Sequence, residues 1–246
     1  MLIALLSDIH ANREAYEAVL DAAEGAGAER YVLLGDIVGY GADPEWCVTK
    51  TMELAEQGAV VLRGNHDEAV TDLNASFNSV AQIAIEWTRN QLGQTECAFL
   101  DGLPFIIEEE DRLYVHATAN DPERWKYLLN TSDAHKHMDA CHARVSFCGH
   151  VHVPMLYGTS FTGKVIRFPP VVALPVPLLA QHRWVAVMGA VGQPRDGYAT
   201  AAFGLYDTER SELSFRRVPY DNETAARKIR EAGLPDVLAD RLIKGR

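Results

Sequence analysis

The stretch Leu2-Ile3-Ala4-Leu5-Leu6-Ser7-Asp8-Ile9-His10 decides the fold class of this chain. Five successive apolar residues predict a strand that is buried on both faces, as in the centre of an α/β sheet. Asp8 and His10, which can bind a metal, follow as soon as the apolar run ends. Because the run has no basic region before it and reaches Asp8 early, we expect a strand rather than a signal peptide.

The chain continues with alternating helix and strand patterns. Apolar residues recur at helical spacing over residues 13–24, with Asn12 as the expected N-cap, and a second buried strand is expected at residues 31–34. Asp43 followed by Pro44 predicts the start of another helix, and a third strand is expected at residues 59–62. This βαβαβ order predicts a parallel or mixed sheet with helices packed against it.

The rest of the chain predicts further helices and a second group of strands. Helices are expected at residues 78–92 and 96–101 and from Asn222 onward, and strands at 104–109, 113–116 and 145–148. A second sheet is expected from residues 169–177, 184–188, 200–206 and 213–218. We expect one domain over residues 1–246, with a helical excursion at 117–144.

Composition excludes several classes of protein. Asp and Glu number 34 against 23 Lys and Arg, and the net charge of −11 repels polyanions, so we expect no broad nucleic-acid-binding surface. Four cysteines are too few for a disulfide scaffold. The apolar stretch from Val171 to Ala180 is interrupted by prolines and is too short to span a bilayer. We therefore expect a cytoplasmic protein that does not bind membranes.

Residues that can bind metals follow five of the predicted strands. They are Asp8 and His10, then Asp36, then Asn65, His66 and Asp67, then His116, and finally His150 and His152. A single Asp in such a place is often a helix cap, and a single His often has a structural role. Five strand ends together indicate a shared site, because these ends meet at one edge of an α/β sheet. Carboxylate, amide and imidazole ligands without thiolate suit Mn, Fe, Zn or Mg, and their number suits two ions bridged by Asp36.

The motifs resemble those of the calcineurin-like metallophosphoesterase superfamily over residues 1–152. They are Asp8-Ile9-His10, Gly35-Asp36, Gly64-Asn65-His66-Asp67, Val115-His116 and Gly149-His150-Val151-His152. The resemblance implies a four-layer α/β/β/α sandwich of two mixed sheets flanked by helices. It also implies a hydrolase that attacks phosphate esters with a hydroxide bridging two divalent ions, which could be Mn, Fe, Zn, Ni, Co or Mg.

Two further segments are similar to a bacterial and archaeal branch described as diadenosine-tetraphosphatase-like or phosphodiesterase-like. They are Gly35-Asp36-Ile37-Val38-Gly39-Tyr40-Gly41 and Gly189-Ala190-Val191-Gly192-Gln193-Pro194-Arg195-Asp196. The substrate implied is a small phosphate ester or nucleotide: a phosphodiester, a dinucleoside polyphosphate or a phosphomonoester.

The superfamily resemblance implies a role for each motif residue. One ion would be bound by Asp8, His10 and His152, the other by Asn65, His116 and His150, and both by Asp36. His66 would act as general acid or charge stabiliser toward the leaving group, and Asp67 would orient it.

The chain departs from the phosphoprotein phosphatases of this superfamily near Asp36. Those enzymes carry an arginine shortly after the Gly-Asp motif and end the Asn-His motif with glutamate, whereas this chain has Tyr40 and Asp67. Arginine binds phosphate through two parallel hydrogen bonds, so its absence disfavours a phosphoprotein phosphatase. Arg63, Arg124 and Arg195 are the candidates to replace it as substrate-binding residues.

Two alternatives to a small-molecule phosphoesterase remain at this point. One is the phosphoprotein phosphatase, and the other is a non-catalytic metal-binding scaffold on the same fold. The scaffold is disfavoured because all seven expected ligands and His66 are present. Trp125 and Tyr127 could stack on a nucleobase, although packing against the sheet is the favoured interpretation.

Overall fold

The computed structural model describes residues 1–246 and contains twelve β-strands and eight α-helices. The strands are β1 (Leu2–Leu6), β2 (Arg30–Leu33), β3 (Val60–Val61), β4 (Ile106–Glu109), β5 (Arg112–Val115), β6 (Val145–Cys148), β7 (Met155–Thr159), β8 (Val165–Phe168), β9 (Val176–Pro177), β10 (Trp184–Val187), β11 (Ala201–Asp207) and β12 (Glu212–Val218). The helices are α1 (Arg13–Gly25), α2 (Pro44–Glu56), α3 (Asn65–Thr71), α4 (Ser79–Gln91), α5 (Gln94–Asp101), α6 (Thr131–Asp139), α7 (Asn222–Glu231) and α8 (Asp236–Lys244).

Strand β1 lies inside the first sheet, whose order is β3-β2-β1-β11-β12-β9. It pairs in parallel with β2 and antiparallel with β11, so this sheet is mixed. Ala4 and Leu6 pack in a core with helices α1 and α2, whereas Ile3 and Leu5 pack in a second core between the two sheets. Burial on both faces explains why the apolar run of β1 is continuous rather than alternating.

The second sheet has the order β4-β5-β6-β10-β7-β8 and is also mixed. Its inner face contributes Tyr114 and Phe147 to the core between the sheets. Its outer face packs against Ala134 and Met138 of α6. The layers are therefore helix, sheet, sheet and helix, which confirms the predicted α/β/β/α sandwich.

The predicted first sheet is confirmed, and its helices begin where capping residues were expected. The Asn12 side chain accepts a hydrogen bond from the backbone N–H of Ala15 at the start of α1. Asp43 precedes α2 with Pro44 in the first turn, but its carboxylate binds Lys228 instead of the helix amides. The helical tail is also confirmed, with α7 and α8 separated at Gly233 to Pro235.

The predicted grouping of the later strands is wrong. Strands β11 and β12 complete the first sheet beside β1, and only β10 of the predicted group joins the second sheet. Residues 169–177 contain no more than the two-residue strand β9. Strands β7 and β8, which pair with each other over residues 155–168, were not predicted. Strand partners are chosen by long-range packing, which a local hydrophobic pattern does not report.

The segment 117–144 contains a 3-10 turn at Pro122–Arg124 and the helix α6. The remaining residues of the segment are irregular, so the predicted helical excursion is helical over only part of its length. All four cysteines are free thiols. None of the helices is both long enough and apolar enough to span a lipid bilayer.

Candidate active site

The predicted ligands converge where strands of both sheets end. Asp8 and Asp36 follow β1 and β2 of the first sheet, and His116 and His150 follow β5 and β6 of the second. Asn65 is the first residue of α3, which is separated from the end of β3 by three residues. The site therefore lies across the ends of the two sheets, and the seven predicted ligands with His66 are each at most 8% exposed.

The ligand atoms form two clusters that share Asp36. One contains Asp8, His10, Asp36 and His152, the other contains Asp36, His116 and His150, and within each cluster the atoms lie within 4.8 Å of one another.

Distances between neighbouring donors fit a shared cation. The Nε2 atoms of His10 and His152 are 3.1 Å apart. His116 Nε2 lies 3.2 Å from His150 Nδ1 and 3.3 Å from the side-chain oxygen of Asn65. Two nitrogens bound to one zinc ion at about 2.0–2.1 Å in a tetrahedral arrangement lie about 3.4 Å apart. The structure thus brings the Asn65 side chain beside the second cluster.

Backbone carbonyls fix the orientation of three of these imidazoles. The Nδ1 hydrogen bonds are His10 to Val38 O at 3.1 Å, His116 to Leu34 O at 2.8 Å and His152 to Gln193 O at 2.6 Å. A carbonyl oxygen only accepts, so each Nδ1 carries the ring proton. Each Nε2 is then the ring nitrogen directed at the cluster, which is the arrangement that metal-binding histidines require.

The charge states of the clusters also suit a cation. Burial would raise the pKa of Asp36, but the neighbouring His116 holds that pKa well below its ordinary value. Burial would lower the pKa of His116, but Asp36 raises it to about 9. Burial lowers the pKa of His150 to about 3 and that of His10 well below its usual value. Asp36 is thus an anion, His10 and His150 are neutral, and the second ring proton of His116 is the one that a bound metal would displace.

Five of the ligands have a left-handed backbone. The φ angles are 55° for Asp8, 49° for His10, 55° for Asp36, 66° for His150 and 63° for His152. This conformation is unfavourable for residues other than glycine, and such residues concentrate at functional sites. The surrounding structure therefore holds these ligands in place at a cost in backbone energy, a feature that the sequence did not reveal.

His66 is held by aromatic rings. Its ring centroid lies 4.4 Å from that of Tyr40, 5.1 Å from that of Phe77 and 4.9 Å from that of His10. Its Nδ1 atom is buried without a hydrogen-bond partner, and a Cβ atom on Gly39 would lie 2.4 Å from it. Burial lowers the pKa of His66 to about 4, so the ring is neutral near pH 7.

The prediction that Asp67 orients His66 is wrong in this structure. One carboxylate oxygen of Asp67 accepts hydrogen bonds from the backbone N–H groups of Ile37 and Val38, and the other accepts one from Gly64. Asp67 therefore holds the loop after Asp36 against the start of α3. Its hydrogen bonds go to backbone N–H groups of the site rather than to the His66 ring.

A cavity of about 450 Å³ opens over the two clusters. Asp36, His66 and His152 lie among its lining residues, together with two of the three candidate arginines, Arg124 and Arg195. The Arg195 guanidinium also lies over the Tyr40 ring, with Cζ 5.7 Å from the ring centroid. Both arginines thus line the cavity above the clusters.

Arg63, the third candidate arginine, does not line the cavity. Its Nε donates to the backbone oxygen of Leu103, and its guanidinium lies over the ring of Phe105 at 4.9 Å. It also approaches Asp101 to 3.8 Å. The Arg63 backbone N–H binds Pro104 O, so the side chain packs on the loop before β4 instead of entering the site.

The aromatic residues after the Pro122 turn both line the cavity, and Trp125 also packs as the favoured interpretation predicts. Tyr127 is 52% exposed and stacks on His150 with ring centroids 4.3 Å apart. Trp125 lies 5.7 Å from the His116 ring and donates its Nε1 hydrogen to Glu68. Trp125 therefore combines packing with a place in the cavity wall, and Tyr127 offers an accessible face.

Sequence reasoning missed Phe77, Glu68 and Gln193. Phe77 and Glu68 line the cavity, and Gln193 accepts hydrogen bonds from both His152 and Arg195. An apolar residue in the polar segment before α4 was the available signal for Phe77. Gln193 stands beside Arg195 in the motif of residues 189–196, but nothing in the sequence shows which way its amide points.

Comparison with known proteins assigns the chain to a family. Residues 1–211 match the family described as the calcineurin-like phosphoesterase superfamily domain. The chain belongs to this superfamily. The phosphoesterase is 33% identical to a metallophosphoesterase from Sphaerobacter thermophilus, and the crystal structure of that protein matches with a TM-score of 0.89 over 100% of this chain and 99% of the other.

Two further proteins are similar over their whole length. This phosphoesterase is 35% identical over 253 residues to a protein of Methanocaldococcus jannaschii described as uncharacterised. The alignment covers 100% of this chain and 98% of the relative. A hypothetical protein from Pyrococcus horikoshii shares the fold, with a TM-score of 0.82 and 21% identity over 100% of this chain and 98% of the other. The phosphoesterase is therefore a hydrolase of phosphate esters, from a family that binds divalent metals.

Proposed function

We propose that this chain is a dinuclear metal-dependent enzyme that hydrolyses phosphodiester, dinucleoside polyphosphate or small phosphomonoester bonds. Asp36 carries the proposal, because its carboxylate belongs to both clusters. A carboxylate shared between two ions is the usual device of dinuclear hydrolytic centres. We assign Asp8, His10 and His152 to one ion, Asn65, His116 and His150 to the other, and Asp36 to both.

The chain's own residues would bind the phosphate and assist the leaving group. Two divalent ions held at the clusters would supply Lewis acidity and activate water for attack on phosphorus. We assign to His66 the donation of an N–H hydrogen bond to the departing oxygen, because it lines the cavity beside the shared carboxylate. Arg195 would donate to a phosphoryl oxygen from the same wall of the cavity, near Tyr40.

The shape of the cavity favours a phosphorus atom with two substituents. Phe77 lies beside His66 on one side, and Tyr127 lies against His150 on the other. A cavity of about 450 Å³ exceeds what a phosphate group alone fills. Flat groups such as nucleobases can stack on both aromatic residues. These features support a diester or a dinucleoside polyphosphate over the side chain of a phosphoprotein. We further propose cytoplasmic action, which the four free thiols suit.

A substrate panel tests the proposal. The metal-stripped protein is refilled separately with Mn, Co, Ni, Zn and Mg, and each form is assayed on bis(p-nitrophenyl) phosphate, a dinucleoside polyphosphate, p-nitrophenyl phosphate and a phosphoserine peptide. We expect turnover of at least one of the first three with bound ions near two per chain. Binding of ions without hydrolysis of any ester would indicate the scaffold, and selective hydrolysis of the peptide would indicate the phosphoprotein phosphatase.

A further inference from the structure

The loop of residues 189–196 is pressed against the segment that carries the first metal ligands. The backbone N–H of Gly192 donates to the oxygen of Asp8 at 2.9 Å, and the Asn12 side chain donates to the oxygen of Gly192 at 2.8 Å. A Cβ atom at Gly192 would lie only 1.7 Å from the oxygen of Ile9. The absence of a side chain at Gly192 therefore permits this contact. The next residue, Gln193, is thereby placed against the metal-ligand candidate His152.

Gln193 contacts a metal ligand and a cavity arginine at the same time. It is 1% exposed, and its backbone oxygen accepts the Nδ1 hydrogen of His152 at 2.6 Å. Its side-chain oxygen accepts hydrogen bonds from Arg195 Nη2 at 2.7 Å and from Arg195 Nε at 3.2 Å. Because arginine can only donate, the amide oxygen must face Arg195. The orientation of the amide is thus decided by chemistry.

This contact restricts the Arg195 side chain without neutralising its positive charge. A guanidinium has five N–H donors, and the bonds to Gln193 occupy two of them. The neutral amide leaves the positive charge uncompensated, whereas a carboxylate in its place would offset it. A long side chain that is already held in place loses less conformational entropy when it binds a ligand. The Arg195 guanidinium is therefore preorganised over Tyr40, and it keeps N–H donors that can bind a ligand.

We propose that Gln193 is a positioning residue that holds the Arg195 guanidinium for phosphate binding in the cavity. Its side chain acts only through Arg195, while its backbone oxygen independently holds the His152 ring. This inference rests on the proposed function, because it takes Arg195 to be the residue that binds the phosphate. It predicts that replacing the side chain weakens phosphate binding and leaves metal binding intact.

A double-mutant cycle tests the proposal. Binding of inorganic phosphate to the manganese-loaded protein is measured by calorimetry for the wild type, Gln193→Leu, Arg195→Met and the double variant. We expect each single variant to bind phosphate about tenfold more weakly, the loss of roughly one charge-assisted hydrogen bond. The double variant should bind like Arg195→Met alone, because Gln193 has nothing left to position.

Arg124→Met provides the matched control. Arg124 lines the same cavity but has no contact with Gln193, so its substitution should add to the effect of Gln193→Leu. Metal content should stay near the wild-type value in all variants, because the bond from His152 goes to the backbone of Gln193. Additive losses in the Gln193–Arg195 cycle, or a loss of bound metal in Gln193→Leu, would overturn the proposal.

Gln193→Glu gives a second measurement that does not depend on the folding of the leucine variant. The carboxylate should hold the guanidinium but offset its charge, so we expect weaker phosphate binding together with a smaller dependence of that binding on salt. Phosphate binding equal to wild type would contradict the proposal. If the wild type hydrolyses no ester, the proposed function fails, but the phosphate-binding cycle still reports on Gln193. If hydrolysis is found and the cycle is additive, only the inference about Gln193 fails.

Discussion

The guanidinium of Arg195 lies over the ring of Tyr40, with its Cζ atom 5.7 Å from the ring centroid. Tyr40 occupies the motif position where phosphoprotein phosphatases of the superfamily carry an arginine. Arg195 comes from a loop more than 150 residues further along the chain and brings a guanidinium back to this place. The positive charge near Asp36 is therefore supplied by a different element of the chain.

Arg195 should matter for all substrates, whereas Arg63 should not. We expect Arg195→Met to raise KM for bis(p-nitrophenyl) phosphate about tenfold or more, since it removes a charge-assisted hydrogen bond. Arg63→Met, which alters an arginine outside the cavity, is the control and should leave KM unchanged. Steady-state kinetics at physiological salt decide the outcome, and equal effects of the two substitutions would remove Arg195 from the site.

The wild type should prefer diesters or polyphosphates to a phosphoserine peptide. Tyr40 supplies no charge to offset a monoester dianion, and the net charge of −11 repels acidic peptides at long range. Physiological salt screens the long-range part beyond about 8–10 Å, so the comparison then reports on the site itself. A higher kcat/KM for the peptide would contradict this expectation and would point to Arg195 or Arg124 as a phosphate clamp.

Asp36→Asn should lower metal content and activity together. Its carboxylate is the one shared by both clusters, and an amide is a neutral, weaker ligand. We expect fewer than two ions per chain by elemental analysis, with hydrolysis reduced in parallel. Glu68→Gln, a change in the same cavity but outside both clusters, should keep its metal. Full metal content in Asp36→Asn would show that Asp36 is not a shared ligand.

His66→Gln should reduce activity without removing metal. His66 belongs to neither cluster, and donation to a leaving oxygen is typically worth about 10²–10⁴-fold in rate. A nitrophenolate needs little assistance, so we expect a smaller loss on aryl esters than on alkyl or nucleoside esters. The ratio of kcat/KM values for the two ester types measures this difference. An equal loss on both would restrict His66 to charge stabilisation or phosphate positioning.

Gly39→Ala should mimic the loss of His66. The added Cβ would lie 2.4 Å from His66 Nδ1, and the φ of +88° already disfavours a side chain. Gly58→Ala is a matched control, because Gly58 has a φ of +95° with nothing within 4 Å of a Cβ. Both variants should lose about 1 kcal/mol of stability from the backbone. Only Gly39→Ala should lose activity. Similar activity in the two variants would show that the close approach of Gly39 does not fix the position of the His66 ring.

Stability should fall between pH 6.5 and pH 4 because of His137. Burial lowers the pKa of His137 from 6.5 to about 4, while its Nδ1 accepts the backbone N–H of Ala119. Below pH 6.5, His137 therefore becomes protonated in the unfolded chain while it stays neutral in the folded chain. The resulting loss in the free energy of unfolding is absent well above pH 6.5 and approaches about 3 kcal/mol near pH 4.

Thermal or denaturant unfolding across this pH range measures the effect. His137→Gln should flatten the decline, because it removes the titrating group and keeps an acceptor for Ala119. His135→Gln, at an exposed histidine of the same helix, should leave the decline unchanged. An unchanged slope in His137→Gln would assign the acid sensitivity to other groups.

Much of the site was predictable because its residues follow buried strands. The strands β1, β2 and β3 have local hydrophobic patterns, and parallel strands deliver the residues after them to one edge. Asp8, Asp36 and Asn65 could therefore be placed together before the structure was known. His116 and His150 follow β5 and β6 in the same way, although these strands belong to the other sheet.

Side-chain direction and strand partners were decided by contacts between distant parts of the chain. Arg63 and Arg195 are both candidate phosphate ligands in the sequence, yet one packs on Phe105 and the other on Tyr40. Asp67 binds backbone amides that only the folded loop after Asp36 presents. Strand β11 pairs with β1 although about 200 residues separate them.

The amino-acid pattern of this protein specified most of the strands and helices and which residues can bind metals, because both follow from local periodicity and side-chain chemistry. The tertiary structure decided which strands pair, which arginine enters the cavity, and that His66 is held by Tyr40 and Phe77 instead of by Asp67. The physical reason is that packing and hydrogen bonding at the site join residues far apart in the chain, and their energies depend on positions in space rather than on neighbours in sequence.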